Sequence, residues 1–131
     1  MYVLDTNTLI YYFKGMGRVA ERLLSHSPRK IGIPTLVLYE LEVGLAKSSR
    51  PEQRRGQLAE MLAMVNILPF GIAEAREAAQ IRAALEGAGE PIGPYDVLIA
   101  ATALANQATL VTHNVEEFGR VGGLALVDWY A

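Results

Sequence analysis

Gly93-Pro94-Tyr95-Asp96-Val97-Leu98-Ile99-Ala100-Ala101-Thr102-Ala103-Leu104-Ala105-Asn106, followed two residues later by Thr109-Leu110-Val111-Thr112, is the stretch that decides the fold. Gly93-Pro94 marks a helix start, because proline suits the first turn and fits poorly further in. The helix it opens, over residues 95–106, is apolar almost all round, as a helix buried on every side must be. The run that follows is short and apolar. It lacks the polar–apolar alternation of a strand with one wet face. A buried helix feeding such a strand is the mark of a parallel sheet covered on both sides.

The same grammar extends in both directions. Tyr2-Val3-Leu4 is a short apolar run that ends in Asp5-Thr6-Asn7, a good helix N-cap sequence. Helical pattern follows to Tyr12 and is punctuated by Gly15 and Gly17. Residues 18–25 read as an amphipathic helix, and Ile31-Gly32-Ile33 as a buried strand. Thr35 is expected to cap a helix running to about Lys47. Pro51 opens another, to about Met64. A strand over residues 65–68, an alanine-rich helix over 73–85, one helical turn over 115–118 and a last strand over 124–127 complete the pattern. The expectation is an α/β protein: a three-layer α/β/α sandwich around a short parallel sheet, a single domain over residues 1–131.

Composition narrows the function. The 131 residues are 51% hydrophobic and 20% charged, enough apolar surface for a core and too much for disorder. No cysteine is present, which excludes a disulfide scaffold, a thiol nucleophile and cysteine-ligated metals. Met1-Tyr2-Val3-Leu4 meets a carboxylate at Asp5, unlike a secretory leader, so a soluble cytoplasmic protein with no membrane role is expected. The net charge of −2 is unevenly spread. Residues 1–55 hold nine Lys/Arg against five Asp/Glu, and residues 56–131 hold three against nine. The basic half has two clusters: Lys14, Arg18, Arg22, Arg29 and Lys30, then Lys47, Arg50, Arg54 and Arg55. Each reads either as a solvated helix face or as a phosphate contact.

Ligands of open parallel sheets bind beyond the carboxyl ends of the strands, so the acids there matter most. Asp5 ends the first strand; it is either a helix cap or, if Thr6 or Asn7 caps instead, a spare carboxylate. Glu40 lies mid-helix among Leu36, Val37, Leu38, Tyr39, Leu41 and Val43, beyond the turn where the helix dipole would favour an acid. Gly44, four residues on, leaves a gap on the same face at a cost of about 1 kcal/mol in helix propensity. Glu42 points away and reads as solvent-facing. Asp96 opens the buried helix. Thr112-His113-Asn114 and Glu116-Glu117 follow the fourth strand. Converging carboxylates repel and persist where a cation offsets them. Hard oxygen donors, with only His26 and His113 as nitrogen ligands, select Mg²⁺ or Mn²⁺ over zinc.

Leu4-Asp5-Thr6-Asn7, Tyr39-Glu40-Leu41 with Gly44, Ile92-Gly93-Pro94-Tyr95-Asp96 with Leu98-Ile99-Ala100-Ala101, and Leu110-Val111-Thr112 with Asn114 and Glu117-Phe118 together resemble a PIN domain. More narrowly, they resemble the VapC toxins of type II toxin–antitoxin systems. The closing Val121-Gly122-Gly123-Leu124 and Asp128-Trp129 look most like the branch described as initiator-tRNA endonucleases. The resemblance implies a metal-dependent ribonuclease, usually a homodimer, held inactive by a VapB-type antitoxin. It places the family's first three acids at Asp5, Glu40 and Asp96, as ligands of one or two Mg²⁺ or Mn²⁺ ions. The fourth position falls on Asn114, where many members carry Asp, or on Glu117. Similar members also read Asn at His113 and Thr-Arg at Val115-Glu116, so substrate contacts there differ.

On this reading Thr6 or Thr112 orients a ligand or a water, and Asn7 and Asn114 hydrogen-bond the carboxylates. RNA contact falls to Lys14, Arg50, Arg54 and Arg55. Tyr11, Tyr12 and Tyr95 either stack unpaired bases or pack internally. A homodimer face is offered by residues 36–45 or by the stripe Leu58, Met61, Leu62 and Val65, unless that stripe is core. The alternatives are a metal nuclease acting on DNA, or a catalytically silent PIN-type binding module. An aspartyl-phosphate enzyme is disfavoured because Asn7 stands where a second Asp would be needed.

Overall fold

Five strands, all parallel, lie in the order β3-β2-β1-β4-β5 in the computed structural model, which describes residues 1–131. They are β1 (Tyr2–Leu4), β2 (Ile31–Pro34), β3 (Asn66–Leu68), β4 (Thr109–Val111) and β5 (Leu126–Val127). The helices are α1 (Thr6–Lys14), α2 (Val19–Leu24), α3 (Thr35–Lys47), α4 (Glu52–Leu62), α5 (Ile72–Gly87), α6 (Pro94–Ala105) and α7 (Val115–Phe118). A short 3₁₀ turn, Pro28–Lys30, leads into β2. The chain is an α/β/α sandwich.

The missing alternation has its cause in burial. Val3 and Leu4 are consecutive in β1 and point to opposite faces of the sheet, yet both are fully buried. Leu110 and Val111 in β4 behave identically. Both faces are therefore covered. From β1 the chain steps outward to β2 and β3, then returns past β1 to β4 and β5. Right-handed crossovers in opposite directions place α1–α4 on one face and α5–α7 on the other. The apolar helix α6 meets this core with Val97, Ile99, Ala100, Ala101 and Ala103, all buried. Each leucine-sized side chain so buried contributes about 1.5–3 kcal/mol.

Several local expectations change. Pro34, in extended conformation, occupies the N-cap of α3, and Thr35 begins the helix without a side-chain capping bond. The stripe on α4 is core: Leu58 is buried, and Met61, Leu62 and Val65 pack against the central cluster. Tyr11 and Tyr12 pack there too, which leaves Tyr95 as the exposed member of the three. Gly15 ends α1 in the left-handed region (φ 66°), where the cap N–H reaches back to the Tyr11 and Tyr12 carbonyls. Strand order reverses between β1 and β4, and the crevice beyond their carboxyl ends is the topological switch point.

Candidate active site at the carboxyl end of the sheet

Asp5 leaves β1 directly into that crevice and is 5% exposed. One carboxylate oxygen, Oδ1, accepts the Thr8 N–H at 2.9 Å and so caps α1. The other, Oδ2, accepts the Thr112 hydroxyl at 2.6 Å, across from the end of β4. Neither Thr6 nor Asn7 caps the helix: the capping role and the site position belong to the same residue. Burial raises the Asp5 pKa, and the bonds from Thr112 and Thr8 oppose that shift. Thr112 in turn accepts the Asn114 N–H at 3.0 Å, so β1 and the turn after β4 are tied through one hydroxyl.

Glu40 projects from α3 toward the start of α1, where its Oε1 accepts the Thr6 hydroxyl at 2.7 Å. Glu42, as expected, faces solvent and pairs with Arg55 at 3.1 Å. Asn7 is exposed, and its side chain has no hydrogen-bond partner among the acids. Of the four residues expected around the carboxylates, Thr6, Thr112 and Asn114 donate to one and Asn7 does not.

Asp96 sits in the first turn of α6, half-buried. Its pKa is raised to about 7 by desolvation, then by the negative charge of Glu117, a hydrogen bond to Glu117, and the charges of Asp5 and Glu40. Carboxylates from the end of β1, from α3 and from α7 thus all act on Asp96. Glu117 responds in the opposite direction. Its Oε1 accepts the Gly93 N–H at 2.9 Å and its Oε2 the Asn114 amide at 2.6 Å. The Gly93 bond is the main cause of its lowered pKa. Asn114 thus donates its side-chain amide to Glu117. Glu116 is exposed.

The donor set suits a hard divalent cation. All four acids present oxygen, and Asp96 keeps its proton toward neutrality because burial desolvates it and the neighbouring carboxylates add unrelieved negative charge. Gly93 leaves a gap between two of them: a Cβ there would lie 3.4 Å from Asp96 Oδ2 and 3.8 Å from Glu117 Oε1. No three acids draw tight enough to cage a cation by themselves, so water would complete any coordination.

Two contributors escaped the sequence reading. The Gly93 N–H holds Glu117. Arg120, which bonds the Pro91 carbonyl at 3.1 Å, adds positive charge beside Glu117. Only the Gly-Pro break before Asp96 hinted at the first, and nothing local hinted at the second. The basic residues separate as well. Lys14, Arg50 and Arg54 line one cleft together with Glu40, while Arg55 is taken up by Glu42.

A parallel sheet of order 3-2-1-4-5 with acids gathered at its switch point is the architecture of a PIN domain. The model of that family, described as "PIN domain", matches residues 2–124, and the chain belongs to it. Within it the chain is a member of the VapC ribonuclease family. It is 34% identical over 128 residues to the tRNA(fMet)-specific endonuclease VapC of Shigella flexneri, covering 98% of this chain and 97% of that one. It is 34% identical over 137 residues to Ribonuclease VapC2 of Rickettsia felis, covering 98% of each. Its fold is similar to VapBC2 from Rickettsia felis bound to a DNA fragment from their promoter, with TM-score 0.90, 35% identity and 98% of each chain covered. DNA-bound VapBC from Salmonella typhimurium is similar too, at TM-score 0.90 and 34% identity, covering 98% of this chain and 97% of that one.

Proposed function

We propose that this chain is an endoribonuclease toxin that hydrolyses RNA phosphodiester bonds with the help of Mg²⁺ or Mn²⁺ and is neutralised by a VapB-type antitoxin. The observation that carries the reading is the gathering of Asp5, Glu40, Asp96 and Glu117 at the switch point, where desolvation first and then the neighbouring carboxylates raise Asp96 to about 7. Asp5, Glu40 and Asp96 would hold the cation, and Glu117 is the fourth acid in preference to Asn114. When bound, such a cation supplies an activated water and stabilises negative charge on the phosphate. The chain's own residues set the stage. Thr112 fixes Asp5, Thr6 fixes Glu40, and the Gly93 N–H with Asn114 fixes Glu117. No side-chain nucleophile is required.

The substrate we assign is tRNA, in keeping with the name of the Shigella flexneri relative; the initiator anticodon loop is the first candidate. The whole of residues 1–131 acts as one PIN unit, as a homodimer or in a heteromer with the antitoxin. We place its action in the cytoplasm; no helix is long and apolar enough to cross a membrane. The test is incubation of antitoxin-free protein with total tRNA in Mg²⁺, Mn²⁺ or EDTA, beside the Asp96→Asn protein. Metal-dependent cuts that vanish in the variant are expected, and mapping them names the tRNA. Preferential cutting of single-stranded DNA would replace RNA as substrate. Folded protein that neither cuts nor binds metal would be a silent binding module.

A further inference from the structure

A cleft of about 580 Å³ lies between α1, α3 and α4, and Glu40 is one of its lining residues. Three cations line it: Lys14 at the end of α1, Arg50 in the turn before α4, and Arg54 on α4. None has a carboxylate partner, whereas Arg18, Arg55 and Arg82 are each neutralised by a glutamate. Arg54 is held in place by Gln57 at 3.0 Å and by the Phe13 ring, whose centre lies 4.9 Å from the guanidinium carbon. Gly44 forms part of the wall, and a Cβ there would meet nothing within 4 Å. Three unpaired like charges facing one hollow repel each other, and an anion that enters offsets that cost.

We propose that this cleft is a subsite for the backbone phosphates of single-stranded RNA running away from the scissile bond. The proposal rests on the ribonuclease reading, since it is continuity with Glu40 that makes the anion a nucleic acid. Glu40 accepts the hydroxyl of Thr6, the residue that follows Asp5 in the chain, and also lines the cleft. A strand with one phosphate at the acids therefore has its neighbours led over Gly44 toward Lys14, Arg50 and Arg54. A positively charged groove that tracks the backbone is how single strands are bound without sequence readout. Arg55, held by Glu42, lies outside this path.

The test is fluorescence anisotropy with an unstructured oligouridylate, on the full chain in an Asp96→Asn background that prevents cleavage. The cleft is altered in two ways: by the triple change Lys14→Gln, Arg50→Gln, Arg54→Gln, and by Gly44→Leu, whose Cβ has open space and whose side chain narrows the hollow. Arg76→Gln, on the exposed side of α5, is the control. We expect both cleft variants to bind roughly tenfold to a hundredfold more weakly, and Arg76→Gln to bind as its parent does. Three lost phosphate contacts should make the plot of log affinity against log salt about 2 units shallower in the triple variant. Unchanged affinity, an equal loss in Arg76→Gln, or normal RNA binding with lost antitoxin binding would overturn the proposal, the last by assigning the cleft to a protein partner. Wild-type protein assayed in parallel keeps the two readings apart. No metal-dependent cutting, with cleft-dependent RNA binding intact, counts against the ribonuclease reading and leaves the subsite standing.

Discussion

Asp5 and Asp96 are the same residue type at the same crevice, and their surroundings are opposite. Asp5 is nearly inaccessible, with one oxygen bonded to the Thr8 N–H and the other to the Thr112 hydroxyl. Asp96 is half-buried and faces three other carboxylates, and its only link is the hydrogen bond it shares with Glu117. One acid is part of the fold's own fabric: it starts α1 and ties β1 to the turn after β4. The other is held where its charge is unwelcome. A site that binds cations needs both kinds, a fixed oxygen to define the position and an unrelieved one to make occupancy favourable.

The largest effect expected from this contrast is on catalysis. Asp96→Asn should cut metal-dependent RNA cleavage by about a thousandfold or more, the several kcal/mol that metal assistance supplies. Retained cleavage would remove Asp96 from the site. Next comes the acid that crowds it. Glu117→Gln should lose about tenfold to a hundredfold in activity, and Glu116→Gln less than about twofold, by the same assay. Equal losses would sink the choice of Glu117 as fourth acid.

Stability should move in opposite directions at the two aspartates. Asp5→Ala removes a cap and orphans Thr112, at a cost of about 1–2 kcal/mol in urea unfolding. Asp96→Asn relieves repulsion and should stabilise the metal-free protein at pH 7 by about 1–2 kcal/mol, the raised pKa being discounted for half-exposure. Destabilisation by both would make the two acids alike and break the contrast.

The smallest effect is a slope. The folded protein keeps a proton on Asp96 up to about pH 7, while the unfolded chain releases it near 3.8. Between those values unfolding sheds a proton, so the stability of metal-free protein falls as pH rises. Denaturation curves should lose up to one proton's worth of this slope in Asp96→Asn. An unchanged slope would mean that Asp96 is not the group that titrates.

The sheet was legible from the sequence because burial on both faces writes itself as short apolar runs cut by proline and glycine. Glu40 was legible as an acid out of place in an apolar helix, and Asp96 as an acid behind Gly93-Pro94. Asp5 could not be resolved between cap and site, because its two oxygens serve both ends and sequence counts residues, not oxygens. The Thr35 cap failed because Pro34 already supplied the extended residue that α3 needs. The Gly93 and Arg120 contacts are long-range. They exist only once α7 is folded against the turn before α6, and no local pattern encodes them. Tyr11 and Tyr12 differ from Tyr95 only in what the rest of the chain lays over them.

The most direct test of the central claim, that a divalent cation replaces the proton on Asp96, is calorimetric titration of antitoxin-free protein with Mn²⁺ at about pH 6 in two buffers of different ionisation heat. Burial and repulsion at Asp96 predict Mn²⁺ binding coupled to release of close to one proton, with that release abolished in Asp96→Asn. Failure to bind Mn²⁺, or binding that releases no proton, would contradict it.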